Sequence, residues 1–387
     1  ERHIALQKST QEAQERSFAD ITAQVKSMYS LEREGQKKLY EATLREEKMR
    51  FGFMEDFRNP VKWRRPFAEF YQQILEQIKT CERIGYDNVW LTEHHFTEDG
   101  YNPSLMTTAA GVATATNQIR IGTFIVILPY QHPVLLAEEV ANVDILSNGR
   151  FEFGVGQGYS YHEYKAFCME RSERGSKTRE SIQLIERLFN EEKVTHNGKF
   201  FKTCEAKLSP KPVQDPHPPI WIGGRGPKAV KKAAQMGFHL MATIGPDPAP
   251  DYISALKETG RNPTDYKIAQ LRMVYCAESE DQAWEECQEH LFHLIEFYHD
   301  ILSEANDAKG DDAPLPISRP EDMRKSVLAD HFMIGTPEQV SEKLSQFQND
   351  FTCTDLIMGT QFPGLDPKLG TKALKLFGEK VMPKFRK

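Results

Sequence analysis

The stretch PFAEFYQQILEQIKTCERIGYDNVWL, Pro66 to Leu91, decides the fold. Phe67, Tyr71, Ile74, Ile78 and Cys81 recur at intervals of three and four, which places them on one face of an α-helix. Gly85 follows, the residue type that most readily takes the left-handed conformation closing a helix. Asn88-Val89-Trp90-Leu91 is then a short apolar run too brief for a helix, so it reads as a strand. Arg50-Phe51-Gly52-Phe53, upstream, reads the same way.

The alternation continues outward. A helix over Pro103–Thr116 precedes a strand within Arg120–Leu128, and a proline-initiated helix over Pro133–Leu146 precedes a strand at Phe151–Val155. A helical stretch around Ser172–Asn190 follows, then strands at Ile220–Ile222, His239–Ala242, Lys267–Cys276 and Asp355–Met358. Strands alternating with helices eight times over imply a parallel sheet of the α/β class. A closed (β/α)8 TIM barrel is the economical solution, with an open doubly wound sheet as runner-up.

Two segments break the rhythm. Residues 1–48 are rich in Glu, Gln, Lys and Arg, with Phe18, Ile21, Val25 and Met28 at helical spacing. They read as a helical N-terminal extension without chemistry, an appendage or a partner-docking helix, and residues 49–387 as the barrel. Ala305–Asp330 is a long insertion near the C-terminal strands, expected as a mobile loop over the barrel mouth. The first residue is Glu1, which reads as a fragment or a processed chain.

Composition narrows the function classes. A net charge of −7 spread along the chain argues against nucleic acid or an anionic membrane as partner. No run is long and apolar enough to span a bilayer. The six cysteines are scattered with no C-x-x-C pair, so a zinc ribbon and a secreted disulfide framework are both unsupported, and a cytoplasmic setting is expected.

Barrel enzymes carry their chemistry on the loops after the strands. The second strand delivers Thr92-Glu93-His94-His95-Phe96, the fourth Gly154-Val155-Gly156-Gln157-Gly158-Tyr159, and the fifth Gly223-Gly224-Arg225-Gly226-Pro227. Adjacent histidines on a strand point to opposite sides, and the H-E-x-x-H spacing is absent, so no metal site is expected. The better functional reading makes His94 a strand-end hydrogen-bond donor or general base, with a structural histidine as the alternative. His95 is expected to face away, into packing or a dimer contact with Glu138. Gly224, Arg225 and Gly226 lead into a helix whose first residue would be Pro227. Free amides there and the Arg225 charge suit a phosphate, although glycine used for turn geometry alone is also open. The Gly154-x-Gly156-x-Gly158 run is weaker, a loop permitting close approach to something flat.

Trp90-Leu91-Thr92-Glu93-His94-His95-Phe96-Thr97-Glu98 resembles the hallmark segment of bacterial luciferase and its relatives, the luciferase-like flavin monooxygenases. The likeness continues at Gly122-Thr123, Leu128-Pro129, His132-Pro133-Val134, Asp144, Gly149-Arg150-Phe151, Phe153-Gly154, Pro219-Ile220-Trp221-Ile222-Gly223-Gly224 and Gly335-Thr336-Pro337-Glu338-Gln339. It covers Met49 to the C-terminus. The resemblance implies a monooxygenase that takes reduced FMN from a separate reductase and uses O2 on a small, apolar organic substrate. An F420-dependent oxidoreductase on the same barrel is the alternative, and a non-catalytic flavin-binding protein a further one. It implies that His94 is the catalytic histidine, and that Thr123 and Phe124, leading to Ile125, form the strand end beside the flavin ring, where relatives hold a non-proline cis peptide. Gln157 and Gly158, with Gly224, Arg225 and Gly226, fall at the cofactor as well. Departures are Gly156 where luciferase has a cysteine, Gln157 where it has a phosphate-contacting arginine, and Arg225 where it has an acidic residue. A homodimer is expected through Pro133–Leu146, which carries two apolar stripes: Val134, Ala137, Ala141 and Ile145, then Leu136, Val140 and Val143.

Overall fold

A computed structural model describes residues 49–224, 226–304 and 317–386. The N-terminal extension, Arg225 and residues 305–316 of the insertion lie outside the described residues.

The described strands are β1 (Arg50–Glu55), β2 (Asn88–Leu91), β3 (Arg120–Thr123), β4 (Val126–Ile127), β5 (Phe151–Gly156), β6 (Val194–Asn197), β7 (Lys202–Ala206), β8 (Ile220–Gly223), β9 (His239–Ala242), β10 (Ile268–Cys276), β11 (Met333–Gly335) and β12 (Asp355–Gly359). The longer helices are α1 (Phe67–Ile84), α2 (Leu105–Ala115), α3 (Pro133–Leu146), α4 (Tyr161–Ala166), α5 (Arg174–Asn190), α6 (Pro227–Met236), α7 (Ala249–Glu258), α8 (Glu280–Glu304), α9 (Pro337–Asp350) and α10 (Pro367–Lys380). Eight strands pair in parallel in the order β1-β2-β3-β5-β8-β9-β10-β12, and β12 pairs back to β1. The sheet is therefore a closed barrel and not the open alternative.

Strand alternation sorts the side chains into two layers. From β1 and β2, Phe51, Phe53, Val89 and Leu91 face outward and join Ile74, Ile78 and Cys81 of α1 in one apolar cluster. Met54 and Trp90 face inward, packing with Trp221, Met241, Met273 and Ile357 to fill the barrel. Trp90 and Trp221 meet edge to face at 5.4 Å. Room for Trp90 comes from glycines on both flanking strands, since a Cβ on Gly122 would lie 2.2 Å from its ring and one on Gly52 2.7 Å from its Nε1. Gly85 caps α1 in the left-handed conformation, φ 98°.

The helix face of α1 differs at its start. Phe67 is exposed, with its ring against Gly100, and Phe70 takes the buried position. Gln77 is also buried, and its amide donates to Gln361 Oε1, Thr371 Oγ1 and the Pro367 carbonyl, tying α1 to α10. In α3 both apolar stripes are largely covered from within the chain: Leu136, Ala137, Val140, Ala141 and Val143 are buried, with α2 and α5 packed alongside. The spare-stripe argument for a dimer therefore does not hold, and the apolar residues left exposed are Leu135, Ile145 and Leu146. The β6–β7 hairpin was not expected, although Asn197-Gly198 at the end of β6 is a turn signal.

Past residue 316 the insertion is packed. Ile317 and Met323 are buried in the interior cluster, and Pro320–Lys325 forms a 3-10 turn against α8. Among the described residues no helix is long and apolar enough to cross a membrane.

Candidate active site

Beyond Leu91 the chain leaves β2 and turns His94 and His95 in different directions. His94 is buried, 5% exposed, and its Nδ1 lies 2.6 Å from Glu163 Oε1 while its Nε2 lies 3.2 Å from the Tyr159 hydroxyl. Tyr101, Phe297 and Tyr298 pack edge-on around the ring. His95 pairs instead through Nε2 with Glu93 Oε1 at 2.7 Å and packs on Tyr130 and Phe167. Within the chain its partner is Glu93, two residues before it. The divergence of the two rings leaves them in separate carboxylate pairs.

Glu163 sits in α4, a helix capped by Ser160, whose Oγ accepts the Glu163 N–H at 3.3 Å. The Glu163 carboxylate accepts from three donors: Nδ1 of His94 and the His95 backbone N–H on Oε1, and the Tyr130 hydroxyl on Oε2. Burial pushes this carboxyl up, yet the hydrogen bond and charge of His94 with the His95 N–H outweigh it and leave it below the usual range. Burial pushes Glu93 up despite its bond to His95.

A second buried network lies beside the first. Arg58 Nε donates to Asp99 Oδ2 at 2.6 Å, and its guanidinium lies 3.9 Å from the Phe297 ring centroid. Asp56 Oδ1 accepts the Arg58 N–H at 3.0 Å. Burial lifts the Asp56 carboxyl to about 6 although Arg58 opposes the shift. The hydroxyls of Tyr101 and Tyr298 are 2.9 Å apart. These groups back a cleft of about 450 Å³, lined by Arg58 and Trp63 after β1, His95, Phe96 and Asp99 after β2, Ser160, His162 and Glu163 at α4, and His293 and Phe297 on α8.

The expected cofactor residues cluster elsewhere on the mouth. The Phe124–Ile125 bond is cis, as the resemblance implies for this strand end. Thr123 is fully buried and its hydroxyl bridges the Gly154 backbone, donating to O at 2.7 Å and accepting from N at 2.9 Å. It shapes the strand end and presents no side chain to the mouth. Ile125 lies between Gly156 and Gly223, where added Cβ atoms would stand 2.0 and 2.6 Å from its side chain. A side chain at Gly156 would meet the tip of the Ile125 side chain, which would have to move aside. Gln157 is exposed, and its carbonyl accepts the Tyr164 hydroxyl. Gly158 packs on Ile127. Gly224 is half-buried, and Gly226 is the N-cap of α6, with no side-chain cap and open space where a Cβ would stand. Among the described residues Phe124, Gly224 and Gly226 do not line this cleft, and the structure brings His94, Tyr159 and Glu163 together. The segment after β3 joins the two regions, Ile125 touching Gly156 and Gly223 while Tyr130 reaches Glu163.

Glu163, Arg58 and Phe297 were not among the residues expected, and Tyr159 entered only as the end of the loop after the fourth predicted strand, without a role. Ser160-x-x-Glu163 is a capping-box pattern and could have marked α4. In a capping box the glutamate reaches back to the N-cap amide, whereas this one turns to His94. Phe297 and Tyr298 lie inside a 25-residue helix whose site face has no local signature.

Residues 49–352 match the family of luciferase-like monooxygenases. The chain is 29% identical over 296 residues to the oxygenase component of the flavin-dependent trigonelline monooxygenase of Acinetobacter baylyi, covering 72% of this chain and 81% of that one. It is 24% identical over 330 residues to an F420-dependent glucose-6-phosphate dehydrogenase of Microbacterium testaceum, covering 81% and 94%. The fold superimposes with a TM-score of 0.72 on the oxygenating constituent of 3,6-diketocamphane monooxygenase from Pseudomonas putida, crystallised with FMN, at 22% identity over 87% of this chain and 99% of that one. The match over residues 49–352, in keeping with the barrel and the His94 segment, places the chain in the luciferase-like monooxygenase family.

Proposed function

We propose that the chain is the oxygenase of a two-component flavin-dependent monooxygenase, using reduced FMN from a separate reductase and O2 to oxygenate a small organic molecule in the cleft. The observation that supports it most is the buried His94–Glu163 pair, an acid–base group at the barrel mouth whose carboxylate lines that cleft. The residues present fit the cofactor. The uncapped N-terminus of α6, reached through Gly224–Gly226 with Arg225, suits the FMN phosphate. Ile125, against Gly156 of β5 and Gly223 of β8, with Phe124 before it in the chain, offers a wall for the ring, with Gln157 and Gly158 following Gly156.

When bound, the reduced flavin activates O2, chemistry no side chain here can supply. The chain's own work is positioning and proton transfer. His94, with Glu163 at Nδ1 and the Tyr159 hydroxyl at Nε2, is the residue that takes or gives a proton. The aromatic rings of Tyr101, Phe297 and Tyr298 pack around the His94 ring and keep it buried. The cleft's mixed lining of aromatic rings, Arg58, His162 and His293 suits a molecule with a polar group on an apolar body. The reading includes a homodimer docked through Leu135, Ile145 and Leu146, and a cytoplasmic setting, in keeping with six unpaired cysteines.

The test is oxygen uptake by the purified chain with chemically reduced FMN, or with reduced F420, across a panel of candidate substrates. Substrate-dependent uptake and an oxygenated product with FMN are expected. Hydride exchange with F420 and no oxygenated product would favour the dehydrogenase alternative, which the F420-dependent relative motivates. Flavin binding with neither outcome would leave a non-catalytic flavoprotein.

A further inference from the structure

Glu163 is the partner of His94 in that reading, and its own contacts decide what it does to the ring. Both oxygens are engaged, Oε1 by the His94 ring and the His95 amide at 2.6 and 3.0 Å, Oε2 by the Tyr130 hydroxyl at 3.2 Å. Backbone N–H groups are permanent donors, and a carboxylate accepts without donating. A group so saturated has no place for a proton on Oε1, so it serves as a fixed acceptor and not as a base. Tyr159 completes the ring's surroundings from the other side. Burial holds its phenol well above the ordinary range, so it keeps its proton and can donate to His94 Nε2 at 3.2 Å.

We propose that Glu163 is a positioning residue that holds the neutral His94 ring with its proton on Nδ1, so that Nε2 is the basic nitrogen, turned toward Tyr159. The part of the proposal that concerns turnover rests on the reading of His94 as the acid–base residue; the tautomer does not. Two other carboxylates near the mouth do not compete for the ring. Glu93 is committed to His95, and Asp99 to Arg58. Free imidazole exchanges readily between its two neutral forms, so one carboxylate on Nδ1 is enough to select a form and fix the ring's orientation. Tyr130, whose ring stacks on Phe167 behind the site, steadies Glu163 from outside without touching His94.

The experiment uses the full chain carrying 15N-labelled histidine rings, with His94 assigned by the signals lost in His94→Gln. At alkaline pH, long-range proton–nitrogen spectra should show the His94 proton on Nδ1. Glu163→Gln should give a mixture of forms or a switch to Nε2–H, at an unchanged melting temperature. Tyr130→Phe, which removes the outer contact alone, should retain the wild-type pattern, whereas a purely structural role for Glu163 would make the two variants alike. Should Glu163→Gln fail to fold, Glu163→Asp, which draws the carboxylate back by one methylene, should loosen the same preference. A wild-type proton on Nε2, or a Glu163→Gln spectrum identical to wild type, overturns the assignment. In the presence of reduced FMN and substrate, Glu163→Gln should lower kcat by at least about a hundredfold with KM little changed, and Glu163→Asp should recover part of it. A changed tautomer with wild-type kcat would overturn the acid–base reading of His94 and leave Glu163's hold on the ring intact.

Discussion

At the scale of single residues, the loop after β2 divides two adjacent histidines between two jobs. His94 is enclosed by aromatic rings and joined to Glu163, while His95 pairs with Glu93 on the cleft side. His94→Ala should cut substrate oxygenation by at least about a hundredfold, the lower end of what a positioned acid–base group contributes. Reduced FMN should still bind and reoxidise, now releasing hydrogen peroxide, which a peroxidase-coupled assay measures. His95→Ala should instead lower the melting temperature, because the buried Glu93 loses its partner, with a modest change in turnover per folded molecule. Asp56 carries a pH dependence. Its carboxyl is lifted by burial to about 6, so between pH 4 and pH 6 the unfolded chain has lost this proton while the folded one keeps it. Stability present below that window is therefore lost as pH rises through it, by roughly 3 kcal/mol for a shift of about two units. Asp56→Asn has no proton to lose. Denaturant unfolding at pH 4 and pH 7 should show the variant gaining about 2 to 3 kcal/mol on the wild type between the two; a constant difference would mean Asp56 titrates alike in both states.

At the scale of elements, α6 is the informative helix. Side chains cap α4, α9 and α10, whereas α1, α2, α3, α5, α6 and α7 start without one, and among these α6 alone begins at a glycine, Gly226, at the end of a glycine-rich turn after a barrel strand. N–H groups at a helix start need acceptors beyond the helix, and an anion is one that can serve where no side chain does. Gly226→Asp would supply the missing cap in open space, at an ordinary φ of −68°. The variant should keep or raise the melting temperature, by about 0.5 to 1 kcal/mol of helix stability. It should also weaken FMN at least about tenfold, as like charges would share one site, and leave riboflavin nearly indifferent. Equal loss for both ligands in a fluorescence titration would move the phosphate away from α6. Elements such as this were legible from one sequence. Pro227 after a glycine turn, Gly85 after a periodic run and Pro133 before another are local signals, and the helices start or stop where they predict. The short α4 was not found, because its Ser160-x-x-Glu163 pattern sits inside a loop too brief for periodicity.

At the scale of the whole molecule, the barrel is closed at its amino end by ions and opened at its carboxyl end for chemistry. Glu152 on β5 meets Arg50 of β1 and Arg120 of β3 and accepts from Asn88 of β2, while Arg50 also meets Asp355 of β12. Burial pushes the Glu152 carboxyl up, and the two arginines override it and hold it well below the carboxylate range. Removing one partner of a buried network leaves charges uncompensated. Glu152→Ala should therefore lower the unfolding free energy by about 3 to 5 kcal/mol, read in urea, with cofactor binding per folded molecule unchanged. A loss under about 1 kcal/mol would show that Arg50 and Arg120 are satisfied elsewhere. Assembly is decided at the same scale. With the inner stripes of α3 covered within the chain, Leu146→Glu should convert a dimer to monomer in sedimentation without unfolding it, if Leu135, Ile145 and Leu146 form the contact.

Local physics reached as far as the elements. Side-chain periods of two and 3.6, glycines with positive φ and prolines at helix starts act over a few residues, so one chain displays them in order, and the succession of strands and helices already implied the barrel. The identity of His94 as a strand-end residue was local in the same sense. What surrounds it was not. Glu163 is 69 residues further on and meets His94 only because β2 and β5, separated by β3, bring their loops to one rim when the sheet curls shut. Arg58 finds Phe297 across the barrel mouth from a helix with no site pattern of its own. The dimer stripe failed for the same reason, since whether an apolar face is spare depends on which helices lie beside it. Periodicity says that a face must be covered, and only the closed barrel decides by what.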